Sequence, residues 1–183
     1  MSSRNLNATA ASLLGFLHEG PLTGWDLVAT AQQRIGDFWS LTQSQVYREL
    51  ASMAADGLIE AGERGPRDRR PYLITDAGRA AFSQWLSRNP EDETIRFPLL
   101  LTVVFGRYLP KDRLADIVAQ HRKLHADRLA EYQAAKEQVV DAGVDAYHLA
   151  PLDFGIRYES AAIAWFDALP ADIKGTGDGD GTG

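Results

Sequence analysis

Signals that start and stop helices follow one another closely through the first 88 residues, and they constrain the fold more than any other feature. Apolar residues recur there with helical spacing in three stretches, each of which ends near a glycine. Thr23 and Thr42 stand where N-caps are expected, and Gln45 follows Thr42 at the spacing of a capping box. Three short helices are therefore predicted, over residues 8–18, 24–35 and 43–56.

Two short strands and a fourth helix are predicted after these three helices. Residues 58–61 and 72–74 have the composition of strands, and Thr75 can cap a helix over residues 76–87. The loop between the strands holds four arginines within seven residues, namely Arg64, Arg67, Arg69 and Arg70. This order of elements is that of a winged helix-turn-helix, so residues 1–88 are predicted to be a DNA-binding domain.

The apolar pattern changes after residues 89–95, which contain Asn-Pro and three acids and are interpreted as a linker. Residues 96–170 are predicted to form a helical dimerisation domain, with a long helix over 111–142 and a last helix over 151–168. Residues 171–183 end in Gly, Thr and Asp and are predicted to be a disordered tail. The residues expected at a homodimer interface are Phe97, Leu100, Leu101, Val104, Phe105, Leu114, Val118, Leu124, Tyr132 and Trp165. The predicted fold class is thus mainly α with a small β-hairpin wing.

The third predicted helix has the pattern of a recognition helix. At about 100° per residue, its apolar residues share one side, and a second side roughly 135° away holds Gln45, Arg48 and Ser52. Glutamine pairs with adenine through two hydrogen bonds, and arginine pairs with guanine or with phosphate. The loop arginines are expected to meet phosphates or a minor groove. The predicted DNA-binding residues are Thr42, Gln43, Ser44, Gln45, Tyr47, Arg48, Ser52, Arg64, Arg67, Arg69 and Arg70.

Several other site classes are excluded or disfavoured. The absence of cysteine excludes disulfides, thiolate metal sites and thiol catalysis. His121 and His125 have a metal-ligand spacing, but two cations lie between them without an obvious third ligand, so they are interpreted as surface or interface residues. No metal, cofactor or catalytic site is therefore predicted. Core packing is the interpretation preferred for the four tryptophans, Trp25, Trp39, Trp85 and Trp165.

The N-terminal segments resemble the PadR family of transcriptional regulators. The resemblance is carried by Leu-Leu-Gly-Phe-Leu at 13–17, Gly-Pro-Leu-Thr-Gly-Trp-Asp-Leu at 20–27, Gln-Val-Tyr-Arg-Glu-Leu at 45–50 and Arg-Arg-Pro-Tyr-Leu-Ile-Thr-Asp-Ala-Gly at 69–78. The helical remainder is similar to that of the longer PadR-like proteins. This resemblance implies a homodimeric winged-helix regulator, usually a repressor, that a small molecule such as a phenolic acid releases from DNA. It also implies that Tyr47 occupies the family's aromatic position in the recognition helix.

Two functions of different classes follow from these observations. The first is a sequence-specific, homodimeric repressor that binds double-stranded operator DNA and is released by a small aromatic or drug-like effector, whose pocket the sequence does not locate. The alternative is a protein-interaction scaffold whose winged helix no longer binds DNA, motivated by the net charge of −6 and by the absence of lysine from the first 88 residues. No signal peptide and no apolar run of the about 20 residues that span a bilayer are visible, so we expect a cytoplasmic protein.

Overall fold

A computed structural model describes residues 6–36, 38–63, 70–93, 95–141 and 145–175. The helices are α1 (Ala8–Leu17), α2 (Gly24–Ile35), α3 (Gln43–Ala55), α4 (Asp76–Leu86), α5 (Pro98–Val104), α6 (Lys111–Asp141), α7 (Ala146–Ala168) and α8 (Ala171–Lys174). The strands are β1 (Leu22–Thr23), β2 (Ile59–Ala61) and β3 (Pro71–Ile74), and a 3-10 turn spans Gly106–Tyr108. The predicted fold class, mainly α with a small β-hairpin, is confirmed. Contacts divide the chain into two compact units at residues 93 and 94, within the predicted linker.

Side-chain caps explain where the helices of the first unit begin. The Thr23 side chain accepts a hydrogen bond from the Asp26 backbone at 3.2 Å, and its hydroxyl donates to the Asp26 carboxylate at 2.7 Å. The Thr75 hydroxyl accepts from the Gly78 backbone N–H at 3.1 Å and donates towards the Gly57 and Leu58 carbonyls. These hydrogen bonds satisfy backbone groups that a helix end leaves open, so α2 and α4 start at the predicted threonines.

The first three helices enclose the core of the first unit. The fully buried leucines Leu13, Leu14 and Leu17 lie on one face of α1. They belong to one cluster with buried residues of α2, α3 and β2, namely Leu27, Ala31, Val46, Leu50, Met53 and Ile59. Each such large side chain contributes about 1.5–3 kcal/mol when fully buried, so this cluster is the main source of stability for the unit.

The sheet contains one strand that was not predicted. Its order is β1-β3-β2, with all pairs antiparallel and with Ile59 opposite Ile74. The extra strand β1 pairs Leu22 with Tyr72 of the hairpin. Two residues are too few to show an alternating pattern, so β1 has no sequence signal of its own. It joins the connection between α1 and α2 to the hairpin.

The second unit is built on the packing of α6 against α7. Its core comprises Leu114, Val118, Phe166 and Leu169. Arg122 bonds to Asp167 at 2.7 Å, and Lys136 bonds to Asp153 at 2.9 Å. Hydrogen bonds from Arg157 and Lys136 lower the pKa of Asp153 to about 2. These ion pairs supplement a small apolar core.

Three boundaries in the second unit differ from the prediction. Helix α7 begins five residues before Pro151, because the Asp145 side chain accepts from the Tyr147 and His148 N–H groups and caps it there. Residues 171–174, predicted to belong to the tail, form α8, since Ile173 packs against the second core. Apolar residues recur with helical spacing from Phe97 to Tyr108, but α5 ends at Val104 and gives way to the 3-10 turn. The rest of the predicted tail, 176–183, lies outside the described residues.

The interpretation of the tryptophans as core residues is wrong for three of the four. Trp25 is 62% exposed because it lies two residues before buried Leu27, which places it about 200° around α2. Trp39 and Trp165 are also exposed, and only Trp85 packs against the first core.

Across the described ranges, no helix has the length and apolar character needed to cross a membrane.

Candidate nucleic-acid interface

One side of helix α3 is buried in the core of the first unit, and another side is exposed. Val46, Glu49, Leu50 and Met53 are buried. The exposed residues of α3 are Gln43, Ser44, Tyr47, Arg48, Ala51, Ala54 and Ala55. This outward arc begins at Gln43 and ends near Arg48, about 140° further around the helix. Gln45 and Ser52 are half-buried and lie just beyond its edge, so the predicted grouping of these two with Arg48 is only partly correct.

The N-terminus of α3 is closed by the predicted capping box. The Thr42 backbone N–H donates to Gln45 Oε1 at 2.8 Å, and the Thr42 hydroxyl donates to the same oxygen at 2.9 Å. The Gln45 N–H in turn donates to Thr42 Oγ1 at 3.3 Å. The hydroxyls of Thr42 and Ser44 lie 3.2 Å apart. Three of the predicted DNA-binding residues therefore also hold the start of the helix in place.

Tyr47 joins α3 to the start of α2. A methyl group built on Gly24 would lie 2.6 Å from Tyr47 Cε1, so the ring occupies the space that only a glycine leaves open. The ring is nevertheless 42% exposed. Tyr47 thus packs and also contributes to the outward arc, and it sets the spacing between the two helices of the helix-turn-helix.

Glu49 is a buried polar residue that was not among the predicted site residues. It lies on the core side of α3, and its Oε1 accepts a hydrogen bond from Asn7 Nδ2 at 3.0 Å. The Asn7 side-chain oxygen accepts from the Ala10 N–H and caps α1. This contact ties α3 to the start of α1. A glutamate among apolar core positions is the only sequence signal for it.

Of the four arginines predicted in the hairpin loop, Arg70 is the one that lies among the described residues. Arg70 is exposed, and its Nε donates to the Gly62 carbonyl at 3.2 Å, next to the Gly62–Pro71 backbone hydrogen bond. The remaining N–H groups of this guanidinium form no hydrogen bond to a described residue and are available to an anion. Arg64, Arg67 and Arg69 lie outside the described residues.

The predicted dimerisation residues divide into three groups. Leu114 and Val118 are only 6% and 3% exposed because they form the core of their own unit, so their assignment to an interface is wrong. Tyr132 packs over Gly155 of α7. The others are exposed apolar residues, namely Phe97, Leu100, Leu101, Val104, Phe105, Leu124 and Trp165.

The two histidines with metal-ligand spacing do not form a metal centre. His125 Nδ1 contacts the buried carboxylate of Glu159, and Arg128 approaches the same carboxylate at 4.0 Å. His125 is therefore an internal residue of the second unit, which corrects its interpretation as a surface or interface residue. In the part of the chain that the structure describes, no group of three or more potential ligands is positioned to hold a metal.

Comparison with known proteins gives two family matches that together cover most of the chain. The family described as "Transcriptional regulator PadR-like family" matches residues 13–84. A second, described as "Virulence activator alpha C-term", matches residues 95–173. The stretch between the two matches, residues 85–94, overlaps the predicted linker.

Individual relatives match along nearly their whole length. "Probable transcriptional regulator Rv1176c" of Mycobacterium tuberculosis is 32% identical over 182 residues, which cover 89% of this chain and 96% of the relative. "Negative transcriptional regulator PadR" of Bacillus subtilis is 25% identical over 174 residues, covering 88% of this chain and 95% of the relative. Among solved structures, B. subtilis PadR in complex with operator DNA aligns with a TM-score of 0.79, at 24% identity, over 91% of this chain and 99% of that one. PadR has also been solved with p-coumaric acid, with a TM-score of 0.72 at 24% identity, over 92% and 98% of the two chains.

Proposed function

Because the chain belongs to the PadR-like family, and is therefore a DNA-binding transcriptional regulator and not an enzyme, we propose that it is a homodimeric repressor whose effector is a small aromatic or drug-like molecule. Helix α3 would enter the major groove, and the hairpin would contact the backbone or the minor groove. The predicted DNA-binding residues listed above are the proposed contacts.

The observation that carries this proposal is the outward arc of α3. Gln43, Ser44 and Arg48 are exposed in the first two turns of the helix, where a recognition helix meets base edges. The Arg48 side chain forms no hydrogen bond or ion pair with any described residue, so its guanidinium is available to guanine or phosphate. Arg70 adds a second cation on the hairpin.

Dimerisation is supported by the exposed apolar face of α5. Leu101 and Val104 are 64% and 63% exposed, and Leu100 and Phe105 beside them are exposed as well. A contiguous apolar surface of this kind is uncommon on a monomer and marks an interaction site. A second copy of the chain would cover it and would present a second α3 to the neighbouring half-site, about one helical turn away.

The direction of regulation and the effector are proposed from relatives. The B. subtilis relative is described as a negative regulator, and one structure of that protein is a complex with the phenolic compound p-coumaric acid. We therefore propose repression that a small aromatic compound relieves, in the cytoplasm where the operator lies. The net charge of −6 that favoured the scaffold alternative is that of the whole chain. The first 88 residues hold nine arginines against nine acids, so the proposed DNA-binding unit is neutral.

Replacing Arg48 by alanine should weaken binding to a preferred DNA duplex by about tenfold or more, which corresponds to one lost base or phosphate contact. Stability should not change, because the side chain is exposed and unpaired among the described residues. Arg79→Ala in α4 is the matched control, since it removes the same charge from another exposed helix position of the same unit. Fluorescence anisotropy measures both variants. If both variants lost the same amount of affinity, net charge would explain the effect, and a specific contact of Arg48 with the DNA would be contradicted.

A further inference from the structure

We propose that Gln43, and not Gln45, is the glutamine of α3 that distinguishes adenine in the DNA site. This inference rests on the proposed function, because it assigns a base-reading role within the same helix. It reverses the role that the sequence pattern alone suggests for Gln45. Three observations carry it: the hydrogen bonds of Gln45, the freedom of Gln43, and the angle between the two side chains.

The carboxamide oxygen of Gln45 is already occupied. It accepts from the Thr42 backbone N–H at 2.8 Å and from the Thr42 hydroxyl at 2.9 Å. A backbone N–H can only donate, so the atom that faces it must be the oxygen and not the amide nitrogen. Recognition of adenine needs both ends of the carboxamide, the oxygen for N6 and the N–H for N7. Gln45 would have to abandon the cap to provide them.

Gln43 has both ends of its carboxamide available. It is the first residue of α3, it is exposed, and its side chain makes no hydrogen bond to any residue in the described ranges. Tyr47, one turn further along, lies on the same side of the helix and is also exposed. The first turn of a recognition helix is the part that reaches base edges. Gln43 therefore has the position and the free groups for two hydrogen bonds to adenine.

The two glutamines cannot serve the same base position. Side chains two residues apart on an α-helix point about 200° away from each other. Gln43 opens the exposed arc, whereas Gln45 is half-buried beyond its opposite edge, beside Ser52. When the exposed arc faces the base edges at the floor of the major groove, Gln45 is turned away from those edges. Its role is then to hold the helix start rather than to read sequence.

The test compares Gln43→Ala with Gln45→Ala, the same chemical change at two positions. The full-length wild-type chain first selects duplexes from a randomised DNA pool. Each A·T pair of the selected duplex is then replaced in turn, and the affinity ratio between the original and the replaced duplex is measured by anisotropy for each protein. Thermal unfolding of each variant is measured alongside.

We expect Gln43→Ala to lose discrimination at one A·T position by a factor of about ten while its melting temperature stays unchanged. Gln45→Ala should melt at a lower temperature and keep every affinity ratio. Gln45→Glu, which preserves a capping box, keeps the fold testable if the alanine variant is too unstable, and its ratios should also stay unchanged. Lost discrimination in a Gln45 variant, or a uniform loss on all duplexes in Gln43→Ala, would overturn the inference. Failure of the wild-type chain to select any sequence would instead contradict the proposed function itself.

Discussion

Replacing Leu101 by glutamate should convert the protein from a dimer into monomers and should weaken operator binding by about a hundredfold or more. Leu101 lies on α5 with 64% of its surface exposed, among other exposed apolar residues. A carboxylate at the centre of an apolar interface would be buried without a partner, which is strongly unfavourable. The two DNA-binding units would then bind separately, so the gain from linked binding at two half-sites would be lost.

Sedimentation velocity at micromolar concentration measures the oligomeric state of this variant. Gln120→Glu is the matched control, because it places the same charge at an exposed polar position of α6. The control should remain dimeric and bind DNA as the wild type does. The Leu101→Glu variant should keep its helical circular dichroism, since the exposed leucine supports no core. A wild-type monomer, or a dimeric Leu101→Glu variant, would contradict the proposed interface.

Replacing Gly78 by alanine should lower the free energy of unfolding of the first unit by about 3 kcal/mol. The added methyl carbon would lie 2.1 Å from the Leu58 carbonyl oxygen and 2.9 Å from Ile74 Cγ1. That carbonyl cannot move aside easily, because it accepts hydrogen bonds from both the N–H and the hydroxyl of Thr75. Helix α4 must therefore shift away from the hairpin, and its N-terminal cap is lost with it.

Gly15→Ala is the matched control for this substitution. Gly15 is also a helical glycine of the first unit, but a methyl group there would lie 3.4 Å from Phe82 Cζ, which is ordinary contact. Alanine favours a helix over glycine by up to about 1 kcal/mol, so this variant should be unchanged or slightly stabilised. Urea unfolding monitored by circular dichroism compares the two. If both variants had equal stability, the close approach of α4 to Leu58 would not contribute as described.

The helices of the first unit could be predicted from sequence because their ends depend on local chemistry. Thr23, Thr42 and Thr75 cap α2, α3 and α4 as expected, since a cap requires only a few neighbouring residues. The start of α7 was missed for a related reason. Pro151 suggests a helix start because proline is tolerated in the first turn, but it lies inside α7, whose cap is Asp145.

Features that depend on tertiary packing could not be predicted. The spacing of Leu114 and Val118 indicates that one side of α6 is buried, but it does not distinguish a partner subunit from α7 of the same chain. Leu114 and Val118 were therefore assigned to the wrong neighbour. Similarly, the hydrogen bond between Asn7 and the buried Glu49 joins residues 42 positions apart, so no local sequence pattern indicates it.

For the candidate site, the sequence identifies the helix and the hairpin but not the role of each side chain. Gln45 fits both a capping box and a base contact, and only the observed hydrogen bonds to Thr42 separate the two roles. Tyr47 likewise packs over Gly24 while remaining partly exposed, which its place in the pattern does not reveal.

Sequence-specific DNA binding by this chain can be measured directly with the wild-type protein. Fluorescence anisotropy compares binding of the wild-type protein to the duplex immediately upstream of its own gene with binding to a scrambled duplex, at two salt concentrations. We expect a preference of about a thousandfold for the upstream duplex and an affinity that falls steeply as salt rises. Equal affinity for the upstream and scrambled duplexes, together with equal affinity for scrambled duplexes and duplexes selected from a randomised pool, would show that the chain does not bind a specific sequence.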